Sequence, residues 1–181
     1  YDRDGDLDLA VCNFLAFDPL YLHPGKEWEM PEPKEYAGQE SKLYEQRADG
    51  RFEDVTEIEG LKYPDSMCMG ITVLDFDRDV LMDIFQGKDN QENFLFRARG
   101  DGSFEEMGLT AGVAVNDAGL GTGSMHGTPG DIDGDGDIDL LVVDLRHGSL
   151  YRKVNPTLFE DVTWVSGVGG LLDGLGQWGA G

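Results

Sequence analysis

Five aspartates stand at alternate positions from Asp131 to Asp139, in the stretch GDIDGDGDIDL. Carboxylates this close repel one another, which destabilises the bare loop, and a hard divalent cation removes that cost. Calcium takes roughly six to eight oxygen ligands, from carboxylates, backbone carbonyls and water. Alternating Asp with small residues lets a short loop wrap its oxygens around one point, and a glycine at the sixth position permits the positive φ that the wrapping needs. The expected side-chain ligands are Asp131, Asp133, Asp135 and Asp139, with Asp137 giving its backbone carbonyl.

The pattern D-x-D-x-D-G-x-x-D, followed by an apolar run, occurs three times. In YDRDGDLDLAV, residues 1–11, Asp2, Asp4 and Asp8 match, Asp6 takes the carbonyl position and Gly5 the turn; the leading aspartate would precede Tyr1. In DFDRDVLMDIF, residues 75–85, Asp75, Asp77, Asp79 and Asp83 match, but Val80 replaces the glycine. A β-branched residue is disfavoured at positive φ, so this site is expected to be rearranged and weak, or metal-free. An EF-hand would need a bidentate Glu at the twelfth position and flanking helices. The twelfth residues are Val11, Gln86 and Val142, between strand-like flanks. Magnesium fits less well than calcium, because it demands a rigid octahedron and keeps its waters. The bland alternative is a solvated acidic loop.

The elements around the loops repeat too. SKLYEQRADGRFEDVT (41–56), NFLFRARGDGSFEEMG (93–108) and SLYRKVNPTLFEDVT (149–163) follow the three loops. Asp49-Gly50 and Asp101-Gly102 between alternating apolar runs mark hairpins, and Asn155-Pro156 marks the third turn. CMGITV, MHGTPG and QWGAG form a further element that precedes a motif; the last would introduce a fourth. The unit reads strand, acidic loop, strand, hairpin, strand, turn, strand, with full copies about 55 residues apart. Four short antiparallel strands per repeat describe a propeller blade, and closure usually takes about 4–8 blades. The expected fold is all-β: a β-propeller fragment of about three four-stranded blades. Residues 1–63 make the first blade with a long insert at 14–40, 64–119 the second, 120–173 the third, and 174–181 the start of a fourth. A three-repeat sandwich is the alternative.

Composition narrows the partners. The 181 residues carry a net charge of −22, which argues against nucleic acid and anionic membrane. Apolar runs fall far short of a membrane span. No signal peptide is visible, but the chain opens inside an acidic motif, so that carries no information. Cys12 and Cys68 sit in apolar stretches and are expected to be buried free thiols.

DIDGDGDIDLLV and YDRDGDLDLAV resemble FG-GAP/VCBS repeats, the calcium-binding blades of integrin-type β-propellers. LYEQRADGRFEDVTEIEGL and LYRKVNPTLFEDVTWVSGV are similar to the cartilage-acidic-protein-like subgroup, whose members often carry an ASPIC/UnbV domain, and so is the first-repeat insert. Val80 departs from the pattern, Glu45 stands where Arg is common, and no ASPIC/UnbV segment lies in this sequence. The resemblance implies a calcium-binding, secreted, cell-surface or periplasmic module for recognition or adhesion, generally without catalysis.

The ligand would be a protein or a glycan. From Asp8 to Leu43 is 35 residues, against 11 from Asp139 to Leu150. The extra residues carry Phe17, Tyr21, Trp28 and Tyr36, which either face a partner or fold back over the blade edge. Met69, His126 and Trp178 share one position before a glycine, where packing is expected ahead of ligand binding. His23 and His147 are expected on the surface. Ser124 and His126 lack a third member for a nucleophile–base set, and no phosphate loop, dinucleotide fingerprint, CxxC or HExxH is present. The other readings are a polysaccharide-active propeller enzyme and an inert structural spacer.

Overall fold

Neighbouring side chains on one strand point to opposite faces, and in this protein both faces are buried. Ile84 and Phe85 are adjacent, yet Ile84 packs with Leu43, Val55, Phe96 and Phe104, while Phe85 packs with Leu74, Leu140, Val142 and Phe159. Leu95 and Phe96 divide between the same two clusters. The cores therefore lie between successive repeats, which is how a repeat that cannot bury its own faces becomes stable.

The computed structural model describes residues 1–18, 31–174, 176, 177 and 179. Among these, β1 (Leu9–Val11), β2 (Lys42–Gln46) and β3 (Phe52–Asp54) form one antiparallel sheet in that order. β4 (Cys68–Leu74), β5 (Asp83–Gln91), β6 (Phe94–Ala98) and β7 (Phe104–Glu106) pair in sequence order, and so do β8 (Thr122–Gly130), β9 (Asp139–Asp144), β10 (Ser149–Asn155) and β11 (Leu158–Asp161). β5 also pairs with β8 through Asp89–Gly123 and Gln91–Thr122, joining the two sets into one eight-stranded sheet. The chain is all-β and builds an arc of propeller blades. Among the described residues, helix is confined to single turns at Pro33–Glu35, Gly108–Ala111 and Gly169–Leu172.

The inner strands β4 and β8 approach closely because of glycine. A Cβ on Gly70 would collide with the Met125 carbonyl. Thr72 Oγ1 donates to the Gly127 carbonyl at 2.5 Å across the same seam. Met69 and His126 are half-buried beside these glycines; Trp178 lies outside the described residues.

The two cysteines correct the reading of free thiols: Cys12 and Cys68 form a disulfide, with Cα atoms 5.5 Å apart. Cys12 follows β1, Cys68 opens β4, and the Cys68 amide donates to the Asn13 carbonyl at 3.1 Å. Apolar flanks indicated burial, and Cys68 is buried, but a sequence separation of 56 concealed the partner.

At the base of the insert, Leu15 bridges Gly38, and the Ala16 amide donates to the Ala37 carbonyl at 2.9 Å. Phe17, largely exposed, lies 5.7 Å from the Tyr36 ring. Tyr21, His23 and Trp28 lie outside the described residues.

Candidate metal centre

The acidic loops join β4 to β5 and β8 to β9, and the first precedes β1. Their shared geometry begins with the ninth-position aspartate. Asp139 offers one oxygen to the Ile132 amide at 2.8 Å and the other to the Lys153 amide at 2.7 Å. Asp83 does the same with Phe76 at 2.9 Å and Ala98 at 2.8 Å. Asp8 accepts from the Tyr1 amino group at 2.7 Å and the Gln46 amide at 3.1 Å. One carboxylate thus ties the start of each loop to the second strand that follows it, β2, β6 or β10. Burial pushes the Asp83 carboxyl up to about 7, against the two amide hydrogen bonds.

The other aspartates fold the loop on itself. Asp131 accepts from Gly134 at 2.7 Å and Gly136 at 2.9 Å. Asp133 accepts from the Asp135 amide and Asp135 from the Asp137 amide. In the second loop Asp75 accepts from Val80, Asp77 from Asp79, and Asp79 from Leu81. Asp2 and Asp4 repeat the pattern in the first loop. The sixth position is left-handed in all three: φ is +102° at Gly5, +70° at Val80 and +88° at Gly136. The second loop therefore keeps the common path, with valine holding the glycine conformation. The fourth position is left-handed as well, at Arg3, Arg78 and Gly134; the sequence pattern gave no sign of it.

Carboxylate oxygens of Asp131, Asp133 and Asp139 lie within 4.8 Å of one another, and so do those of Asp75, Asp77 and Asp83. These groups can hold a metal ion. Asp135 and Asp79 are not in the clusters, nor are Asp2, Asp4, Asp6 and Asp8 in one of their own among the described residues. The donor set is all oxygen, which suits a hard cation. Asp75 Oδ1 is buried without a hydrogen-bond partner, and a bound cation would coordinate it in place of a donor.

The loops differ in the cations the protein itself provides. Arg97 reaches into the second loop, with Nε 2.6 Å from Asp77 and a terminal nitrogen 3.5 Å from Asp79. Its counterpart Arg152 pairs instead with Glu160. Arg78 of the second loop contacts Asp137 of the third at 3.3 Å. Lys153, buried between the two loops, has no hydrogen-bond partner for Nζ and lies 4.9 Å from the Phe76 ring centroid. Burial lowers its pKa, while Asp137, Asp77 and Asp83 oppose the shift. None of these basic contacts was visible in the motif.

The F-E-D-V-T segments are structural. Thr56 Oγ1 accepts the Leu43 amide and donates to Asp54; Thr163 does the same between Leu150 and Asp161. In the second blade Glu106 replaces the pair and accepts the Leu95 and Gly108 amides directly. Among the described residues, no helix is long and apolar enough to cross a membrane.

A family model described as an FG-GAP-like repeat matches residues 1–86 and 75–142. No curated protein matches the chain.

Proposed function

This chain belongs to the FG-GAP-like repeat family, and on that premise we propose that it is a calcium-stabilised extracellular propeller module that recognises a protein or a glycan. The observation that carries the reading is the convergence of the Asp131, Asp133 and Asp139 oxygens within 4.8 Å, on a loop whose Asp139 already ties two strands together. Those three residues would hold calcium in the third loop, joined by Asp135 and the Asp137 carbonyl. Asp75, Asp77 and Asp83 would hold it in the second, in competition with Arg97. Asp2, Asp4, Asp6 and Asp8 are proposed for the first.

Bound calcium neutralises clustered carboxylates. The protein's part is to bring the oxygens together and to convert binding into fold stability. A cation that binds the folded state alone stabilises it by RT ln(1 + [Ca]/Kd), about 2.7 kcal/mol at one hundred times Kd. Extracellular calcium modules often bind at ~10⁻⁴–10⁻³ M. The Cys12–Cys68 disulfide supports an oxidising compartment outside the cytosol. The insert and the F-E-D-V-T segments favour the cartilage-acidic-protein-like subgroup, and the insert is the proposed protein-facing loop.

Retention of the full chain on intact cell surfaces, with calcium and then with chelator, tests the reading. Calcium-dependent retention that Asp131→Ala/Asp133→Ala abolishes is expected. Equal retention in chelator would remove calcium from the mechanism, and no retention in either condition would overturn the recognition role.

A further inference from the structure

Two successive blades fill one corresponding region differently. Against the second, Tyr63, three residues after Gly60, packs on Phe94 and Phe96, with ring centroids 4.6 and 5.4 Å away; Lys88 Nζ lies 3.2 Å from the Phe94 centroid. In the third, the corresponding residues are Val115, Ser149, Tyr151 and Asp144. Where Phe94 stands in the second blade, Ser149 opens onto a cavity of about 350 Å³ that Thr163 and Trp164 also line. A second cavity of about 330 Å³ is lined by Asp89, Thr122, Asp144 and Arg146. Asn116, Leu120 and His147 line both, so the two form one groove over the β9–β10 turn.

The groove contains an acceptor with nothing to accept. Asp144 is 3 % exposed. Its Oδ1 takes the amides of Arg146 at 2.7 Å and His147 at 3.2 Å, while its Oδ2 is buried without a hydrogen-bond partner. A buried acceptor left unmet is costly, and a donor on a ligand would satisfy it. Asp89, 7 % exposed, lines the same cavity and accepts only the neighbouring Asn90 side chain among the described contacts. At the other end Trp164 is 55 % exposed and is backed by Gly169, where a Cβ would fall 2.6 Å from the indole.

We propose that this groove binds a neutral glycan, a ligand class that rests on the recognition role above and makes it specific. A pyranose ring presents an apolar C–H face that an indole can stack against, and hydroxyls that donate to carboxylates and amides. Arg146 beside the two aspartates makes the groove a mixed donor–acceptor surface, in contrast to a purely anionic well for a cation. The net charge of −22 disfavours acidic glycans.

The test is calorimetric titration of the full chain, in calcium, with neutral trisaccharides of N-acetylglucosamine, glucose, mannose and galactose. At least one is expected to bind saturably. Asp144→Asn, which keeps an oxygen for the two amides but replaces the free acceptor with a donor, and Trp164→Ala are each expected to weaken it tenfold or more. Their melting transitions and calcium responses should match the parent's. Absence of binding by all four sugars, or binding that survives both substitutions, overturns the proposal. Calcium-dependent cell-surface retention that the sugars do not compete would refute the glycan assignment and leave the recognition role intact. Loss of retention altogether would refute both.

Discussion

The Asp139 carboxylate holds the Lys153 backbone amide at 2.7 Å with one oxygen and the Ile132 amide at 2.8 Å with the other. Asp131, by contrast, is exposed and accepts amides only within its own loop. The two residues therefore contribute differently. Leaving buried amides unmet costs about 1–3 kcal/mol each, so Asp139→Ala should lower stability by roughly 3 kcal/mol even in chelator. Asp131→Ala should cost under about 1 kcal/mol in chelator and abolish most of the added stability in calcium. Urea unfolding under both conditions measures the difference.

The Cys12–Cys68 disulfide spans a sequence separation of 56 and ties the first blade to the second. Closing a loop of that length removes unfolded-chain entropy worth about 4 kcal/mol in the chain-entropy model. Cys12→Ser/Cys68→Ser is expected to lower the denaturant midpoint by a corresponding amount, and reductant should no longer affect the variant.

Val80 holds φ at +70°, a conformation that favours glycine. Such strain costs of order 1–3 kcal/mol, partly offset by the greater unfolded-state freedom of glycine. Val80→Gly should stabilise the protein by about 1 kcal/mol net, read as a raised urea midpoint. Arg97→Gln is the companion change: with the guanidinium gone from Asp77, calcium should add more stability to the second loop than it does in the parent.

Burial lowers the Lys88 pKa to about 8, against the opposing carboxylates of Glu106 and Glu92. Below about pH 8 both folded and unfolded states carry the charge, and its desolvation penalty is full. Between there and the ordinary value of 10.5 the unfolded chain holds more protons, so stability rises with pH across that window. Lys88→Met should be at least as stable as the parent at pH 7 and should lack this part of the rise, as thermal melts from pH 7 to 10.5 would record.

What was legible in the sequence was local or repeated. Asp-Gly pairs fixed the hairpins because few sequences suit their turns, and the recurring aspartate spacing located all three loops. Long-range chemistry was not legible. The disulfide partners are far apart in sequence, and Arg97 enters the second loop from another strand. Lys88 and Lys153 look like surface residues until their buried ammonium groups are seen over aromatic rings. Glu106 conceals its equivalence to the Asp–Thr pairs because a single longer carboxylate does their work.

The central claim is that the clustered aspartates convert calcium binding into fold stability. Thermal melting of the full chain over a calcium titration, repeated with magnesium, tests it most directly. The account predicts a melting temperature that climbs with calcium, hardly moves with magnesium, and loses most of the climb in Asp131→Ala/Asp133→Ala. A melting temperature indifferent to calcium would contradict it and reduce the loops to a solvated acidic surface on the same fold.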